Sequence, residues 1–100
     1  MHLQFAVGAL VEVFLGPFVR ADAVVCTVEG LHMTVAVNDL SVAQDTLQYG
    51  NRRLQDGRFL VHETQCAYIR VLSQEEMMTH SNECVRQLGK LGSAAKFSDE

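Results

Sequence analysis

The beginning of this chain constrains it most. Leu3, Phe5, Ala6, Val7, Ala9, Leu10, Val11, Val13, Phe14 and Leu15 make a dense apolar stretch. Gly16-Pro17 then stops a helix, because proline lacks the amide donor and its ring clashes with the preceding turn. Ala21-Asp22-Ala23 follows, a small-x-small pattern that signal peptidase accepts. A short apolar helix, a breaker and such a site predict a cleavable signal peptide over residues 1–23, with cleavage after Ala23. Two features work against it: Glu12 interrupts the apolar run, and the leading segment has His2 but no Lys or Arg. The competing reading is a buried first helix or strand of a cytosolic domain. A transmembrane anchor fits less well, since a span needs about 20 predominantly apolar residues with few charges.

Cleavage would leave Val24 to Glu100. The formal charge of −4 becomes −3, because Arg20, Glu12 and Asp22 leave together. A weakly acidic chain this short holds one domain. Its core is small, because short chains bury a lower fraction of their surface; export would offer disulfides in compensation. Cys26, Cys66 and Cys84 are the candidates, and their odd number leaves one over. The cluster Arg52, Arg53 and Arg58 reads as a solvated loop, so no nucleic-acid partner is expected. No membrane span is expected after processing, and no N-x-[ST] sequon is present.

Beyond Ala23, Val24–Val28 and Met33–Val37 have strand composition, with Glu29-Gly30 between them as a turn or bulge. Leu40, Ala43, Leu47 and Leu54 suggest a helical face that Tyr49-Gly50-Asn51 interrupts. Asp56-Gly57 signals a turn, and residues 58–64 and 65–72 read as extended, with Tyr68, Arg70 and Leu72 on one strand face. Ser73 and Glu76 match a capping box, which would start a helix lined by Met77, Met78, Cys84, Val85 and Leu88. The alternative makes Ser73–Glu76 a hairpin turn and Met77–Val85 a returning strand; periodicity alone leaves both open. Residues 89–100 read as a flexible tail.

Two stretches resemble the oocyte-secreted protein and placenta-specific protein family, built on a ZP-N-like domain. Val24-Val25-Cys26-Thr27-Val28-Glu29-Gly30-Leu31-His32-Met33-Thr34-Val35 resembles that family's opening, a cysteine on the first strand, a short acidic turn and a strand ending in Thr-Val. Glu63 to Glu83, with Cys66, Arg70 and Ser73-Gln74-Glu75-Glu76, resembles its late hairpin. Together they cover about half of the chain after Ala23. The chain departs from the family in lacking its central cysteine, near Tyr49-Gly50-Asn51, and its closing cysteine, and in carrying Cys84 where the family more often has an apolar residue.

The resemblance implies a mainly β fold, a small Ig-like β-sandwich over residues 24–88 preceded by a signal-peptide helix. It favours the hairpin at Ser73–Glu76 and a Cys26–Cys84 bridge over Cys66–Cys84. It also implies a secreted, non-enzymatic protein-interaction module of oocyte, egg-coat or placental biology, with ZP-type domains or a second copy as partner.

Two other functions compete with it. One is a cytosolic α+β adaptor or chaperone-like protein, retaining its N-terminus and a C-terminal helix. The other is a small zinc-binding domain, since His62-x-x-x-Cys66 and His80-x-x-x-Cys84 repeat one spacing. No catalytic residue is expected: Cys66 near His62 lacks an identified activating environment, and a thiol nucleophile needs one. No cofactor is expected either.

Overall fold

The computed structural model describes residues 5–16, 18–37, 52–54 and 57–98. Its elements are β1 (Ala9–Gly16), β2 (Val19–Glu29), β3 (His32–Val37), β4 (Arg52–Arg53), β5 (Arg58–His62), a 3-10 turn (Glu63–Gln65), β6 (Cys66–Val71), α1 (Gln74–Met78) and α2 (Glu83–Ser98). The strands form one antiparallel sheet in the order β4-β5-β3-β2-β1-β6. The chain is mainly β, as the family resemblance implies. It also has the C-terminal helix of the alternative α+β reading.

The apolar N-terminal stretch is a strand rather than a helix, and it lies inside the sheet. Along β1, Ala9, Val11, Val13 and Leu15 are almost fully buried, while Leu10, Glu12 and Phe14 face the other way. That period of two belongs to a strand. Glu12 is therefore tolerated, since it falls on the outward phase. β1 pairs with β2 on one side and β6 on the other. β2 begins before the expected cleavage site and runs through it: Ala23 is 1 % exposed and lies opposite both Val11 and Val37. A signal-peptide helix outside the core is thus not what these residues form, because their alternation buries one face against the rest of the sheet.

Two apolar clusters lie on opposite faces of the sheet. The larger one contains the β1 residues with Ala23, Val25, Met33, Val35, Val37, Phe59 and Val61. The smaller contains Val24, Cys26, Ala36, Leu72 and Val85, where α2 covers the other face. The short link from β5 to β6 shows that the sheet is curled. Those strands stand four places apart, about 19 Å in a flat sheet, whereas the few residues of the 3-10 turn reach about 14 Å at full stretch. Gln65 also donates from its side chain to the Phe14 carbonyl at 3.2 Å. The larger cluster therefore lies inside a partly closed barrel, and among the described strands β6 is the edge on its open side.

The turns follow local chemistry. Gly30 has φ 60° in the tight β2–β3 hairpin, where Glu29 pairs with His32. A left-handed residue suits such a loop, and glycine adopts it without steric cost. The helical face expected over Leu40, Ala43 and Leu47 lies outside the described residues.

Ser73 starts a helix, so the hairpin favoured by the family resemblance is not formed. Its Oγ accepts from the Glu76 amide at 3.1 Å, and its own amide donates to Glu76 Oε1 at 3.0 Å. This is the reciprocal capping box. Residues 89–98, expected as a loose tail, continue α2 instead. Gly89 is what lets the two helices meet. A Cβ built there would stand 2.7 Å from Met78 Cγ and 3.1 Å from the Met78 backbone nitrogen. The Gln74 side chain reaches the Gly89 carbonyl at 3.1 Å across that contact.

Candidate functional site

The residues of the competing zinc-binding reading do not converge. His62 ends β5, and its Nδ1 accepts from the Thr64 amide at 3.2 Å, so its ring caps the 3-10 turn. Cys66 opens β6 and packs against the larger cluster. Cys84 packs against the smaller one, on the opposite face. His80 sits between α1 and α2, with Nδ1 accepting from the Asn82 amide at 3.0 Å. Among the described residues no group of three or more His, Cys, Asp or Glu is placed to hold a metal ion. Of the cysteine pairs, Cys26 and Cys84 share a cluster, whereas Cys66 lies across the sheet from Cys84. Burial pushes the Cys66 thiol up to about 11, away from the thiolate that nucleophilic catalysis needs.

His80 is held below its ordinary range near 6.5, first by desolvation and then by the Arg86 charge. Its Nε2 is buried with no hydrogen-bond partner among the described residues. Folded His80 therefore resists protonation, while unfolded His80 takes a proton near 6.5. Its contribution is present above that pH and is lost as the pH falls through the lowered folded value. The urea midpoint should drop between pH 7.5 and pH 5.5, and His80→Gln should flatten that drop. An unchanged pH dependence in the variant would show that His80 is not its source.

The chemically distinctive surface is the edge strand β6. Every residue from Ala67 to Val71 is exposed, including Tyr68, Ile69 and Val71. A bulge shifts the register between β1 and β6, so that Tyr68 faces Val11 and Arg70 faces Leu10. Tyr68 and Arg70 thus point to opposite sides of the sheet, not to one face as plain alternation suggests. Tyr68 and Val71 (opposite Ala9) lie on the side of the larger apolar cluster.

The other side is polar. Ala67 lies opposite Glu12, and Glu12 lies opposite Asp22, in one row across three strands. Neither acid has an ion pair among the described residues. Like charges directly opposite each other destabilise a sheet. Nearby, Arg20 lies over the Phe14 ring at 5.9 Å from its centroid. A cleft of about 340 Å³ continues this side under α1, with Asp22, Arg70, Glu76 and His80 around an apolar floor of Leu10, Val24 and Leu72. Arg70 grips Glu76 with two bonds of 2.8 and 2.6 Å. The Arg70 guanidinium, with the Ser73 amide, brings the Glu76 carboxyl down to about 2. Both side chains are exposed, so the pair adds little stability.

In the sequence Arg70 and Tyr68 fall on a strand, whereas Glu12 stands as an interruption of an apolar helix. The available signal was the alternation Leu10-Val11-Glu12-Val13-Phe14, which puts the acid on the face away from the valines. No protein-family model, curated protein or solved structure matches this chain.

Proposed function

We propose that this chain is a non-enzymatic protein-interaction module that receives an extended segment of another protein along β6. The observation that carries this reading is the exposure of Ala67 to Val71 on the open edge of the sheet. Such an edge offers unpaired backbone groups, and strand addition is a recurrent way to use them. The test is an array of short extended peptides probed with labelled full-length protein. Binding should be seen and should be lost in Val71→Lys and Ile69→Lys, whose thermal midpoints stay near that of the wild type. An array without binders, or binders indifferent to both variants, contradicts the proposal.

The family resemblance supports a secreted setting in egg-coat or placental biology. The position of β1 favours a second setting for the same module, a cytosolic adaptor that keeps its N-terminus. Intact mass separates the two: 11.1 kDa for the complete chain, or a protein shortened to Val24 and recovered from a secretion medium.

A further inference from the structure

Resting on that reading of β6, we infer that the partner segment is a basic strand, with apolar residues alternating with Lys or Arg. Its two faces would meet different surroundings. On the side of the larger cluster, an added strand lies beside exposed Tyr68 and Val71, so apolar side chains suit it there. On the other side it lies beside Arg70, whose charge is already met by Glu76, and beside Ala67, whose methyl leaves the way open to Glu12 and Asp22 in the same row. Glu12 is two strand spacings from the added strand, about 10 Å, within the combined reach of a long basic side chain and the glutamate. A cation arriving there relieves the opposition of the two carboxylates. Alternation along the added strand follows from the pleat, which sends successive side chains to opposite faces.

The same observations disfavour a second copy as occupant. Each copy carries a net charge of −4 and would bring the same acids to the contact. The bulge twists β6, and bulged edges pair poorly with one another. A basic partner meets neither obstacle.

The experiment uses full-length protein and labelled peptides of alternating valine and lysine, about six residues long, the usual strand length. Fluorescence anisotropy should show the lysine peptide binding about tenfold or more tighter than its valine–glutamate counterpart, weakening as salt rises. The double variant Glu12→Gln, Asp22→Asn should remove that preference. Of two lysine peptides N-methylated at every valine or at every lysine, one should bind and the other should not, because only one set of amides faces β6. If lysine and glutamate peptides bind alike but N-methylation still discriminates, the basic-partner inference falls and strand addition stands. If both N-methylated peptides bind like the parent, strand addition itself falls. If no peptide binds and the protein sediments as a dimer, a second copy is the occupant and the inference is overturned.

Discussion

A chain beginning at Val24 will not fold into a cooperative domain. Removing residues 1–23 deletes β1 and the first part of β2, and leaves β6 with no described strand to pair with. Val11 and Val13 are completely buried and Leu15 nearly so. Burying each such side chain is worth about 1.5–3 kcal/mol, and the total stability of a small domain is about 5–15 kcal/mol. The lost burial and pairing are therefore comparable with everything that holds the fold. Circular dichroism on the shortened chain should show no cooperative thermal transition, while the complete chain shows one. A cooperative melt of the shortened chain would mean that the domain is built without β1 and would restore the signal peptide.

The second large effect is at Gly89. Substitution in a helix would ordinarily help, since glycine is about 1 kcal/mol worse than alanine there. At this position the added carbon meets Met78 Cγ, Met77 Cβ and the Met78 backbone nitrogen, all within 3.1 Å. The backbone atom cannot turn aside as a side-chain end can. Gly89→Val adds two further methyl groups to that contact and should cost about 2–3 kcal/mol through overpacking. The loss should appear as a lower urea midpoint. Separation of α1 from α2 should also raise hydrogen exchange near Leu72 and Val85, which the helices help to cover. A variant as stable as the wild type would show that the two helices do not approach as closely as this.

Local signals proved legible where a single element decides them. The strands around Cys26, Val35 and Phe59 follow composition, and the Ser73–Glu76 box marks a real helix start. The hairpin favoured there by family resemblance loses because two reciprocal hydrogen bonds fix the first turn of α1. In residues 9–16 apolar density hides the alternation: Leu10 and Phe14 fill the outward phase, so only Glu12 betrays it. The bulge on β6 and the curl of the sheet depend on pairing between distant segments, and no window of sequence contains them. The acid row of Glu12 and Asp22 was hidden for the same reason, since its members meet only through strand register. Gly89 read as tail punctuation because its partner, α1, reaches it only in the folded chain.

β1 sits between β2 and β6, and among the described strands β6 keeps an open outer edge. Residue-resolved amide hydrogen exchange on the complete chain tests this arrangement most directly. Amides of residues 9–15 should be among the slowest in the protein, as for a strand bonded on both sides. Those of residues 67–71 should divide into a slow set facing β1 and a fast set facing outward. Uniformly fast exchange across residues 5–23, with slow exchange beginning only after Val24, would contradict this placement of β1.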